Sequence, residues 1–116
     1  MAYSHSLADR VRQALGQSRQ IARQSRQIAE KKMFGGLAFL LNGNMLVSVW
    51  HNSLIVRLGA GPAAQALGQP HVREFDFTGR PMQGWVVVEP DGLESDRELS
   101  DWIERATEFV ATLPAK

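Results

Sequence analysis

Asn42-Gly43 lies between two apolar runs, 34–41 and 45–50, and no other feature constrains the chain as much. Asn-Gly suits the positive backbone angles of a two-residue turn whose twist matches that of paired strands, so it predicts an antiparallel hairpin. The pattern then repeats. His51-Asn52-Ser53 reads as a second turn, and 54–58 as a third strand, making a meander. Gly35-Gly36 falls inside the first run, where paired glycines signal a bulge, a kink or a close backbone approach.

The rest of the chain alternates helical and strand signals. Leu7, Val11, Ala14 and Leu15 share one face of a helix over 6–15, with Ser6 as N-cap and Asp9 at its third position. Gly59 and Gly61-Pro62 end the meander. Pro62 suits the first position of a short helix that runs to Leu67 and stops at Gly68. Residues 72–77 alternate as a fourth strand, 78–81 turn, and 84–88 form an apolar fifth strand expected inside the sheet. A last helix over 95–113 carries the stripe Leu99, Trp102, Ile103, Ala106, Phe109, Val110 and Leu113. The order is α-β-β-β-α-β-β-α. The fold class is α+β, with a two-layer architecture of helices on a five-stranded antiparallel sheet. A length of 116 residues suits one domain, residues 1–116.

A tandem repeat interrupts this scheme. Residues 17–23 read QSRQIAR and residues 24–30 read QSRQIAE, identical at six of seven positions. Seven residues make about two helical turns, so a helix can absorb the second copy. The series 7, 11, 14, 18, 21, 25 and 28 is a short heptad pattern diluted by Ser18 and Ser25. Two readings stand: a duplication that lengthens the first helix or loops out, or a helix extended for dimerisation or polyanion contact.

Charge is segregated. Residues 1–58 carry eight basic and two acidic side chains, a net +6, and residues 59–116 carry five and ten, a net −5. The basic half would attract nucleic acid through Arg12, Arg19, Arg23, Arg26, Lys31 and Lys32, or pair with the acidic half within one chain or across a dimer. Other chemistry is sparse. No cysteine is present, which excludes disulfides, thiolate metal sites and a cysteine nucleophile, and fits a reducing cytoplasm. His5, His51 and His71 lack partners at metal-binding spacing, and the acids at 91–101 lack the spacing of a calcium loop. No apolar run has the length of a signal peptide or a membrane span. No nucleophile elbow is recognisable. The expectation is therefore no enzyme, no cofactor, no metal and no membrane association.

Several strings resemble the TfoX/Sxy N-terminal domain family. They are Lys31-Lys32-Met33-Phe34-Gly35-Gly36, the Asn42-Gly43-Asn44-Met45 hairpin, Leu54-Ile55-Val56-Arg57, Gly79-Arg80-Pro81-Met82-Gln83-Gly84-Trp85 and Trp102-Ile103. The resemblance covers nearly the whole chain and implies a stand-alone member with an antiparallel sheet under packed helices. It departs at the link before Lys31, which one heptapeptide fewer would bring to the family's usual length. The function implied is a non-catalytic regulatory domain that binds a protein partner or a second copy of itself. Arg80 offers a rigid fork of donors, Met82 and Trp85 offer apolar surface, and Lys31, Lys32 and Met33 complete the expected contact site. The alternative is a nucleic-acid-associated regulator that uses the basic N-terminal half.

Overall fold

The computed structural model describes residues 3–23, 28–33, 35–76, 79 and 82–116. Helix α1 (His5–Gln17) is capped by Ser4, whose Oγ accepts from the Leu7 amide at 3.2 Å. The cap expected at Ser6 thus lies two residues earlier, and Asp9 instead meets Arg12. Gly16 stays helical, and Ser18 ends the helix by donating its amide to the Leu15 carbonyl. A short helix, α2 (Arg19–Arg23), follows.

Six strands then form, not five: β1 (Ile28–Met33), β2 (Gly36–Leu41), β3 (Asn44–Trp50), β4 (Ser53–Arg57), β5 (Val72–Glu74) and β6 (Trp85–Val88). Helix α3 (Ala60–Ala66) stands between β4 and β5, and α4 (Asp96–Val110) closes the chain. The sheet is antiparallel, in the order β1-β2-β3-β4-β6-β5. The extra strand is β1. Its sequence, IAEKKM, has neither an apolar run nor an alternation, and four of its six residues are exposed. It is a strand because it pairs with the edge of β2, Ile28 opposite Leu41 and Met33 opposite Gly36. Backbone pairing decides it, and side-chain patterning carries no such signal.

The repeat is divided by this event. Gln20-Ile21-Ala22 is helical, with Ile21 buried in the core, whereas Ile28-Ala29 of the second copy is strand. No continuous heptad helix forms; residues 24–27 lie outside the described residues. The glycine pair also differs from expectation. Gly35 has φ 75° and sits between β1 and β2, while Gly36 opens β2. A Cβ on Gly36 would stand 2.3 Å from the Val49 carbonyl oxygen, so this strand pair closes only over a glycine.

The Asn42-Gly43 turn is as expected, with φ 57° and 82°. Its Asn42 carbonyl accepts from the Lys116 amide at 2.8 Å, and Asn44 Nδ2 donates to the Pro114 carbonyl at 2.9 Å. The chain's last residues therefore lie across the hairpin. In α3, Pro62 occupies the third helical position rather than the first, still within the turn whose amides have no helical acceptor. The fourth strand expected over 72–77 is shorter, and the apolar strand β6 is internal as expected, between β4 and β5.

The core lies between the sheet and one layer of helices. Leu7, Val11 and Leu15 of α1, Ile21 of α2 and Leu99, Ile103, Ala106 and Val110 of α4 meet Leu37, Phe39, Leu46, Val49, Leu54, Val56, Val86 and Val88. Ser95 caps α4 in a reciprocal box: Glu98 N–H donates to Ser95 Oγ and Ser95 N–H to Glu98 Oε1, both at 3.0 Å. The Ser95 amide and the Ser95 hydroxyl, both donating to Glu98 Oε1 at 3.0 Å, hold the Glu98 carboxyl below its ordinary range. Two glycine substitutions test the arrangement in opposite directions. Gly16→Ala, with nothing near its Cβ, should raise stability by about 0.5–1 kcal/mol. Gly36→Ala should lower it by about 1–3 kcal/mol through overpacking. Urea midpoints at constant slope measure both, and equal effects would contradict the β2–β3 approach.

Candidate interaction surface

Strand alternation gives the sheet a second face, away from the helices. There Ala38, Met45, Ile55 and Val87 form a separate cluster, covered by Phe75 from the segment after β5. Phe75 is 2% exposed and meets Trp50 edge-on at 6.2 Å and Trp85 at 6.3 Å. Met33 and Trp85, both expected contact residues, flank this cluster. They do so from β1 and β6, four strand spacings or roughly 19 Å apart. Lys31 shares the parity of Met33, opposite Ala38, whereas Lys32 has the opposite parity, opposite Leu37. Of the five expected residues that are described, those of β1 therefore stand apart from Trp85 across the sheet. Arg80 lies outside the described residues.

Part of the set does converge. Met82 is 38% exposed and Leu67 is 39% exposed; among the described residues they are the large apolar side chains most open to solvent. Both line one groove of about 190 Å³ with Trp85, Gly84 and the α3 alanines Ala60, Ala63 and Ala64. The Met82 amide donates to the Phe75 carbonyl at 2.9 Å, and the Trp85 amide donates to the Met82 carbonyl at 3.2 Å, so backbone bonds hold the groove wall. Leu67, expected only as the last residue of a short helix, is the C-cap of α3, and its i+4 spacing from buried Ala63 gives no sign of its exposure.

Arg57, quoted above only within a strand, ends β4 opposite Trp85. Its guanidinium carbon stands 4.9 Å from the Trp85 ring centre and 5.8 Å from that of Phe109. Partial burial lowers its pKa from the ordinary arginine value.

The basic residues separate in the same way. Arg12 forms a fork with Glu30 at 2.8 Å on both arms and reaches Asp9 at 2.7 Å. The pairing raises the Arg12 pKa and lowers that of Glu30. Arg19 and Arg23 of α2 and Lys31 and Lys32 of β1 are exposed and make no ion pair among the described residues. Arg26 lies outside those residues. Among the described residues the expected pairing between the two halves is limited to Arg10, which meets Asp96 at 3.3 Å and donates to the Leu93 carbonyl at 2.7 Å. Arg73–Glu89 and Arg105–Asp101 pair within the acidic half.

Among the described residues no group of three histidines or acids is placed to hold a metal. No helix there is long and apolar enough to cross a membrane. His5 and His51 share one corner, where Tyr3 stacks on His5 at 4.9 Å and bridges to His51.

The architecture is thus a small α+β domain with one layer of helices on an antiparallel sheet and an exposed apolar groove. Residues 19–110 match the TfoX N-terminal domain, and the chain belongs to that family of competence-regulator-like domains. No curated protein and no solved structure matches it.

The Arg12–Glu30 fork ties α1 to the edge strand and sets an acid dependence. Because the folded pKa of Glu30 is lowered, its stabilisation is present above the usual carboxylate range and is lost as pH falls through the folded value. Both side chains are over a third exposed, which limits the effect to about 0.5 kcal/mol. Arg12→Gln should cost that much at neutral pH and almost nothing once acid has protonated Glu30 in the folded chain. Urea titrations at neutral and acidic pH read the difference. An equal loss at both would place the role of Arg12 in its packing.

Proposed function

We propose that this chain is a non-catalytic interaction domain in a regulatory system, and that it captures a protein partner presenting an aliphatic side chain. The observation that carries this reading is the groove in which Leu67 and Met82, each more than a third exposed, meet beside Trp85. Solvent-exposed apolar side chains brought together by separate segments mark interaction sites better than single exposed ones do. Aromatic and methionine side chains at such a groove supply contact area at low ordering cost. Membership in the TfoX N-terminal domain family supports the regulatory part. A photo-crosslinking residue at Gln83, which lines the groove, is expected to yield a discrete adduct with another protein. The adduct should vanish in a Leu67→Ser/Met82→Ser double variant whose melting temperature is unchanged. The same residue at exposed Asn52 is the control. Adducts at twice the mass of the chain would assign the groove to self-association, and equal adducts from Asn52 would remove the groove from consideration.

A second reading, contact with nucleic-acid phosphates, is favoured by the unpaired exposed cations Arg19, Arg23, Lys31 and Lys32 within one stretch of 14 residues. Arg12, paired with Glu30, contributes little to it. Fluorescence anisotropy with a labelled random duplex should then show binding that weakens steeply with salt. Arg19→Gln/Arg23→Gln should reduce the log–log salt slope by up to about 2. Absence of binding at low salt would leave these residues as a solvated surface.

A further inference from the structure

Arg57 is partly buried, yet among the described residues its guanidinium makes no hydrogen bond and no ion pair. The ring centres of Trp85 and Phe109 stand 4.9 and 5.8 Å from its carbon. The space for Phe109 is made by Gly59, which has φ 87° and whose Cβ would stand 2.7 Å from that ring. Gly84, at φ 90°, accepts the amides of Leu58 and Gly59 at 2.8 and 3.1 Å and so fixes the strand ends on either side. The two rings attract the guanidinium as a cation, and its donors, unpaired among the described residues, are those with which an arginine grips a carboxylate by two bonds.

The position matters as much as the chemistry. Ala60 lines both the groove that holds Leu67, Met82 and Trp85 and a larger one of about 570 Å³ between α3 and α4 that includes Phe109. Arg57 stands beside one aromatic ring from each, Trp85 and Phe109. Glu74 lines the first groove and Glu108 the second, and neither pairs with Arg57. Arg105 also lines the second groove but is paired with Asp101, so an incoming acid finds its unpaired cation at Arg57.

We propose that Arg57, beside the rings of Trp85 and Phe109, is a carboxylate-recognition site that selects a partner segment presenting an acid beside the aliphatic side chain seated in the Leu67–Met82–Trp85 groove. This rests on the groove reading given above and adds the charge its ligand must carry. The unpaired cation is the argument for that occupant: a neutral or basic segment would leave its donors unsatisfied as they became desolvated.

The test uses small probes and the full chain. N-acetyl-leucine joins a carboxylate to an isobutyl group, N-acetyl-leucinamide removes only the charge, and acetate removes only the side chain. Each is titrated while the Arg57 Nε–H and Trp85 indole N–H signals are followed by NMR. N-acetyl-leucine is expected to shift both in a saturable way, at least fivefold tighter than the amide. That difference should disappear in Arg57→Gln and fall in Arg57→Lys, which keeps the charge and loses the fork. Unchanged amide spectra across the rest of the chain certify that both variants fold. Equal binding of acid and amide would leave the groove standing and overturn the carboxylate site. Acetate shifting Arg57 while neither leucine probe moves Trp85 would overturn the groove reading and, with it, the combined site. Inorganic phosphate binding more tightly than N-acetyl-leucine would overturn the assignment to a carboxylate, as would no shift at all.

Discussion

The stripe Leu99, Trp102, Ile103, Ala106 and Val110 of α4 buries itself between α1 and the middle strands of the sheet, and the placement of every other element follows from that burial. Each fully buried Leu, Ile or Val contributes roughly 1.5–3 kcal/mol relative to exposure. The stripe is 100°-wide in the usual amphipathic sense, so it covers one face of the sheet and leaves the other without helices. That second face must then be closed from within the sheet's own connections. Phe75 does this, with Trp50 and Trp85 beside it. Trp85 is in this way fixed where α3, β6 and the end of β4 meet.

The surface features descend from the same constraint. Backbone bonds from Met82 to Phe75 and from Trp85 to Met82 tie the return segment to the covered face. They bring Met82 up to α3, whose alanines allow a shallow groove and whose last turn presents Leu67. On the side of α4, Phe109 reaches over Gly59 toward Arg57. A cation partly removed from water with no acid beside it is costly, and the aromatic faces offset part of that cost.

Much of the fold was legible in local chemistry. The Asn42-Gly43 turn, the Ser95–Glu98 box, the α4 stripe and the internal position of the apolar strand all follow from residue type at short range. Strand β1 was not legible. Its lysines and glutamate have no pattern that distinguishes a strand from a polar helix, and its pairing with β2 is made by backbone groups that every residue carries. The candidate contact set was half legible for a similar reason. Met82 and Trp85 stood out as large apolar residues near a turn, but Lys31, Lys32 and Met33 are separated from them by the width of the sheet. Leu67 and Arg57 are not legible as surface partners, because the residues beside them are distant in the chain.

The heptapeptide repeat separates the two kinds of information most clearly. By itself the sequence determined the helical stripe, the tight hairpin and the segregation of charge, because periodicity, turn angles and residue charge are local properties. Two copies of nearly the same seven residues nevertheless end in different structures. Ile21 is held in a helix by burial beneath α4, and Ile28 is held in a strand by the open edge of β2. Only the tertiary structure decided this, because the free energy that separates helix from strand in such a segment comes from whichever surface lies within reach.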